Sequence, residues 1–333
     1  MKPKLFVCWM WLCVLAHAAY GQAVPEQGGT IRIPTDLIVL DAQVMQQKTK
    51  RPLDGLQAED FVVYEDGVKQ TLTNFRRDAR PLSVLFLMDW HHCPALMHRE
   101  LLWMVESALE KLKPEDELAV ADSDALTGLK MVREFSRNKN NIAQAIARLH
   151  IGAHDEAIPY NEMFIEAARL MERASNPEGR RVIVLYSNSA QGTMRARASS
   201  QSAIEALLES GSIVCWLNAE FSVFGNSGDR PIDEDIAMMM SRRTVNLRTL
   251  VNLTGGEILD APVKQIDVAF RGLLERLRTR YSLGFVSSNA KRDGTVRRLR
   301  LEIAPTVQQR SGPLVVVSRR SYIAPKEKMA KVE

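Results

Sequence analysis

The chain has 333 residues, of which 46% are hydrophobic and 25% charged, and it carries a formal charge of +4. A chain this long buries a full core and suits two domains, because single cores rarely grow past roughly 250–300 residues. The apolar content excludes wholesale disorder, and a mild basicity without an arginine stripe gives no case for nucleic acid.

Residues 1–23 stand apart from the rest. Lys2 and Lys4 precede an apolar run from Leu5 to Ala16, and small residues follow at Ala18, Ala19, Gly21 and Ala23. This charged, apolar, small-residue order is that of a secretory signal peptide, cleaved between Ala18 and Ala23. The run is shorter than the roughly 20 residues of a spanning helix. The expected product is exported, periplasmic or secreted, with no transmembrane span after cleavage; an uncleaved anchor is the alternative. Cleavage removes Cys8 and Cys13 and leaves Cys93 and Cys215. Two cysteines do not make a disulfide scaffold.

Residues 24–80 read as short strands, with Leu37, Val39, Leu40, Phe61, Val63 and Tyr64 favouring β and Asp66-Gly67 a hairpin turn. From residue 81 to residue 279 strands and helices alternate. Ser83 to Met88 is a continuous apolar run ending at Asp89, as in a parallel strand covered on both faces. Helical spacing follows through Leu101, Val105 and Leu109, then strands at Leu118–Ala121 and Met131–Phe135. Asn138 or Asn140 caps a helix carrying Ile142 and Ile146. Further helices are expected from Tyr160, Gln201, Leu247 and Val268, and further strands at Val182–Tyr186 and Ile213–Leu217. Residues 280–325 return to β, with strands at Tyr281–Val286, Arg297–Ile303 and Leu314–Ser318, and residues 326–333 are a polar tail. Alternation in the middle predicts an α/β sheet with helices on both faces and any site at the carboxyl ends of its strands. The flanking strands predict a β-sandwich-like domain built from both ends of the chain, with the α/β domain inserted in it.

Six short stretches carry a resemblance. They are Gly55-Leu56 through Ala58-Glu59-Asp60-Phe61, Tyr64-Glu65-Asp66-Gly67, Lys113-Pro114-Glu115-Asp116-Glu117, Leu253-Thr254-Gly255-Gly256, Tyr281-Ser282-Leu283-Gly284-Phe285 and Arg319-Arg320-Ser321-Tyr322. In this order they resemble a bacterial family of exported proteins described as von Willebrand factor A-related, over nearly all of the mature chain. The resemblance implies a Rossmann-like, doubly wound, mostly parallel six-stranded sheet. It also implies a metal-ion-dependent adhesion site, with Asp-x-Ser-x-Ser after the first strand, a Thr on a later loop and an Asp after the fourth strand. There a divalent cation completes its shell with a carboxylate of the partner, which suits Mg²⁺ with about six oxygen ligands.

This sequence departs from that pattern. Asp89 stands at the first Asp, His91 and Cys93 at the serines within Asp89-Trp90-His91-His92-Cys93, Ala157 at the threonine and Asn188 at the second Asp. The expectation is a degenerate site without Mg²⁺, whose loops at Asp89, Trp90, His91, His92, Cys93, Ala157 and Asn188 contact a protein partner. The competing reading gathers Asp89, His91, Cys93 and His154 around Zn²⁺ or copper, since imidazole and thiolate are softer ligands. A Cys93 nucleophile with His91 or His92 as base lacks an orienting group and an oxyanion-hole signature. Cys215, inside an apolar strand, reads as a small core residue. The Gly- and Ser-rich stretch Phe221 to Pro231 is a second candidate contact loop. A non-enzymatic binding module of adhesion or scaffold type is therefore expected, with a structural envelope component as the alternative.

Overall fold

A computed structural model describes residues 37–77, 80–89, 98–147, 158–177, 179–187, 196–220 and 243–327. The strands β1 (Leu37–Gln46), β2 (Phe61–Glu65), β3 (Val68–Gln70) and β4 (Leu72–Arg76) come first. Asp66 and Gly67, at φ 46° and 87°, make the tight turn from β2 to β3, the mirror-image geometry that matches strand twist. The α/β stretch runs β5 (Leu82–Met88), α1 (His98–Lys111), β6 (Glu117–Asp124), β7 (Gly128–Ser136), α2 (Lys139–Ala147), α3 (Tyr160–Met171) and β8 (Arg180–Tyr186). It continues with α4 (Ser200–Ser210), β9 (Ile213–Glu220), α5 (Leu247–Thr254), β10 (Ile258–Pro262) and α6 (Ile266–Arg278). Last come β11 (Tyr281–Val286), β12 (Val296–Ile303), α7 (Pro305–Ser311), β13 (Leu314–Ser318) and β14 (Ser321–Ile323). Among the described residues no helix is long and apolar enough to cross a membrane.

The central sheet has the order β10-β9-β8-β5-β6-β7, parallel throughout except for the antiparallel edge strand β7. Every residue of β5 is buried because both faces are covered. Val84, Phe86 and Met88 pack with Val105 of α1, Ile142 of α2 and Phe270 of α6. Leu85 and Leu87 face the other way, onto Phe164 of α3, Leu207 of α4 and Leu250 of α5. Helix ends follow local chemistry. The Ser199 side chain accepts from the Ser202 amide to start α4, and Gly211 at φ 68° ends it, the left-handed cap that glycine adopts without strain.

Two four-stranded sheets, β13-β1-β11-β4 and β14-β12-β2-β3, are built from both ends of the chain. Their shared core holds Leu40, Val44, Phe61, Val63, Tyr281, Phe285 and Leu299. The buried Tyr281 hydroxyl donates to the Leu53 carbonyl at 2.9 Å and accepts from the Leu56 amide at 3.2 Å. Two of the six stretches therefore meet at one phenol. Two others meet at Gly255 and Gly256, where an added Cβ would lie 2.3 Å from the Arg319 amide and 1.7 Å from the Val214 carbonyl oxygen. Backbone passes too close there for any side chain.

Charged residues tie the sheets together. Arg180, at the start of β8, grips Asp41 of β1 with two bonds of 2.8 and 2.9 Å. In the Lys113–Glu117 stretch, Asp116 accepts from the Leu82 and Lys113 amides, both at 2.8 Å, and from Arg278. Lys326 and Glu327, where the tail was expected to begin, are held by Glu209 and the Arg292 carbonyl, both at 3.1 Å. The strand β10 escaped the sequence reading because it is short, lies at the sheet edge and ends in Pro262, a residue confined to such positions.

Candidate functional site

The carboxyl ends of β5, β6, β8 and β9 lie together at one end of the central sheet, and β5 runs straight into Asp89. Asp89 is only 2% exposed. A buried carboxylate needs donors, since leaving it bare costs several kcal/mol. Among the described residues the donors to its side chain are hydroxyls. Ser187, just past β8, donates to Asp89 Oδ2 at 3.0 Å, Tyr160 donates to the same oxygen, and Ser123 of β6 donates to Oδ1 at 3.4 Å. The Tyr160 and Ser187 hydroxyls are themselves 2.9 Å apart, and Trp216 Nε1 of β9 donates to the Ser187 carbonyl at 2.9 Å. Burial and then the Asp89 charge push the Tyr160 hydroxyl well above its ordinary pKa. It therefore remains a donor throughout the physiological range.

Asp122 stands one register position from this cluster, paired with Met88 across β5 and β6. Its Oδ1 is buried with no hydrogen-bond partner among the described residues. Burial pushes its carboxyl up to about 7, partly opposed by the Ser123 backbone amide and reinforced by the nearby Asp89.

The first three residues of α3 organise this end of the domain. Beyond Tyr160, the fully buried Asn161 donates to the Ala198 and Arg243 carbonyls at 2.8 and 2.7 Å and accepts from the Val245 amide at 2.8 Å. Glu162 accepts from the Arg197 amide and, at 2.8 Å, from the Ala198 amide. Gly128 lets the β6–β7 turn lie against this helix, since a Cβ there would sit 2.4 Å from the Met163 amide. A rigid helix start thus pins the backbone just before α4 and just before α5.

Of the residues singled out from sequence, Asp89 is placed in this cluster. Trp90, His91, His92, Cys93, His154, Ala157 and Asn188 lie outside the described residues, as do Phe221 to Pro231. Cys215 is fully buried in β9, and burial pushes its thiol up to about 12, which leaves it unreactive. Sequence reasoning missed Ser123, Asp122, Tyr160 and Ser187. Ser187 had a visible signal, a hydroxyl closing the apolar run of β8. Tyr160 had none, because a tyrosine opening a helix gives no hint of what its hydroxyl meets. Removing that hydroxyl in Tyr160→Phe leaves Asp89 short of a donor, so the variant loses about 1.5–3 kcal/mol of stability. An unchanged urea midpoint for Tyr160→Phe would sink this assignment.

Counted from β5, the central sheet has the order 3-2-1-4-5-6, with helices on both faces and the third strand antiparallel. The fold is that of a von Willebrand factor A-type domain. No protein-family model matches the sequence, and no curated protein matches it either. Among solved structures it is similar to a von Willebrand factor type A protein from Catenulispora acidiphila, at 10% identity and TM-score 0.45 over 82% of this chain and 76% of that one. The proximal thread matrix protein 1 of the mussel byssus matches at 10% identity and TM-score 0.43, over 61% of this chain. The pilus adhesin SpaC of Lactobacillus rhamnosus GG matches at 9% identity and TM-score 0.42, over 83% of this chain. The chain spans about half the length of these last two, 49% of each.

Proposed function

We propose that this A-type domain is a non-enzymatic binding module of adhesion or scaffold type, exported from a bacterial cell, which captures a protein partner without Mg²⁺. The contact surface is formed by the residues that follow β5 and β8 and those that precede α3. The observation that carries the reading is the state of Asp89. Both of its oxygens are taken by hydroxyls of this chain, so the anchor of the expected cation site is satisfied internally. The donor set does not fit Mg²⁺ either. His91, Cys93, Ala157 and Asn188 bring no second anionic oxygen, and burial favours the protonated form of Asp122 up to about neutral pH. Export rests on the order of residues 1–23.

The test is the metal content of the purified protein together with melting curves in EDTA, Mg²⁺, Mn²⁺ and Zn²⁺. A ligand bound only by the folded state stabilises by roughly 2.7 kcal/mol at a hundred times its dissociation constant. The expected result is no bound metal and superimposable curves, while replacing residues 90–93 with glycine and serine abolishes crosslinking to envelope proteins and leaves the melt unchanged. A rise in melting temperature with Mg²⁺ overturns the reading. So does stoichiometric zinc or copper that disappears in His91→Ala or Cys93→Ser.

A further inference from the structure

At the opposite end of the central sheet, where β8 and β9 begin, a pocket of about 230 Å³ opens between β1 and the end of α4. Its charge is one-sided. Arg80, Arg180, Arg181 and Arg319 line it, against Asp41 as the only acidic side chain among the described lining residues. Asp41 is shared by Arg180, which holds it with two bonds and gives a further donor to the Leu277 carbonyl, and by Arg80, 3.8 Å away. Arg181 and Arg319 have no such carboxylate partner among the described residues. Arg181 donates once, to the Ser210 carbonyl at 2.9 Å, and Arg319 once, to the Gly211 carbonyl at 3.1 Å.

Those two bonds cap the last turn of α4, whose carbonyls attract cations. Capping accounts for one donor on each arginine, yet a guanidinium has five. It also accounts for only part of the charge. The end of a helix carries about half a negative charge, whereas Arg181 and Arg319 together bring two positive charges. Burial penalises the Arg319 cation, with Asp41 offsetting only part of that cost. The arginines are held in place from several elements. Arg319 sits where β13 leaves its sheet and is fixed by the close backbone approach at Gly255, and Arg181 belongs to β8. Planar forks fixed in this way match the paired oxygens of carboxylate or phosphate.

We infer that this pocket is a binding site for a small oxyanion, the carboxylate or phosphate group of a ligand, held chiefly by Arg181 and Arg319. Its volume is below the roughly 300–1,000 Å³ of pockets that enclose drug-sized molecules, so the ligand presents little more than that group. The site is separate from the Asp89 cluster and independent of partner capture there.

Melting curves of the purified protein with inorganic phosphate or with acetate, each against chloride at equal ionic strength, test the inference. One or both raise the melting temperature in a saturable way, and the arm that does so identifies the source as phosphoryl or carboxylate. In Arg181→Gln and in Arg319→Gln the apparent affinity falls by at least about tenfold, the loss of one charge-assisted contact. Val39→Glu provides a check that leaves all four arginines in place. Val39 lines the pocket and is 38% exposed, so a carboxylate there abolishes the shift without disturbing the core. The inference is overturned if neither anion does more than chloride, or if the shift persists in the variants that fold.

Discussion

Asp41→Asn lowers the stability of the protein by about 3–5 kcal/mol, the usual consequence of stripping a buried charge of its partner. Arg180 is among the largest fully buried side chains, and its contacts run to Asp41, to the Leu277 carbonyl and to Ser282 at 3.4 Å. Asparagine offers one acceptor and no charge in place of a fork. The ion pair also titrates. Burial on its own would raise the Asp41 carboxyl, but the Arg180 charge and hydrogen bonds, the Ser282 hydroxyl and Arg80 outweigh it and hold it well below the usual carboxylate range. A folded-state pKa below the unfolded value contributes stability that is present above about pH 4 and is lost as pH falls further. Wild-type melting temperature should therefore drop steeply below pH 4, and Asp41→Asn should show both a lower plateau and a shallower acid limb. A double-mutant cycle with Arg180→Met separates the pair from its parts. If the double variant is no more stable than Asp41→Asn alone, the penalty does not come from the stranded guanidinium.

Asp122→Asn is expected to act in the opposite direction. The folded-state pKa of Asp122 is about 7 against 3.8 for an unperturbed aspartate, so between those values the folded protein holds a proton that the unfolded chain has released. Stability then falls as pH rises between those values and is lowest above about pH 7. At 1.36 kcal/mol per unit the loss reaches up to about 4 kcal/mol. Asparagine keeps the shape without the charge. The variant should match the wild type near pH 4 and melt higher at pH 8, with the gap opening between. Parallel curves across that range would show that Asp122 ionises as freely in the folded protein as in the unfolded chain. The same titration bears on function, since the end of the sheet next to Asp89 gains negative charge as Asp122 ionises.

The resemblance stretches turned out to be contact points of the fold rather than chemistry. Gly255 and Gly256 allow backbone to cross backbone, Tyr281 closes the sandwich core, and Asp116 gathers amides and an arginine. Sequence by itself determined most of the elements of the central sheet, the edge strand β10 excepted, because burial on both faces writes a continuous apolar run into β5 and β8, and helix caps and turns need particular residues at particular positions. It also determined that Asp89 ends the central strand. Only the tertiary structure decided what Asp89 meets. Ser123, Tyr160 and Ser187 come from three different elements, at separations from Asp89 of 34, 71 and 98 residues. The arginine pocket is of the same kind. Arg80, Arg181 and Arg319 are ordinary surface residues in sequence, and only the packing of the sandwich against the start of β8 gathers their charges. Local patterns record which way a side chain faces, whereas a site is made by long-range closure, which leaves no periodicity in the chain.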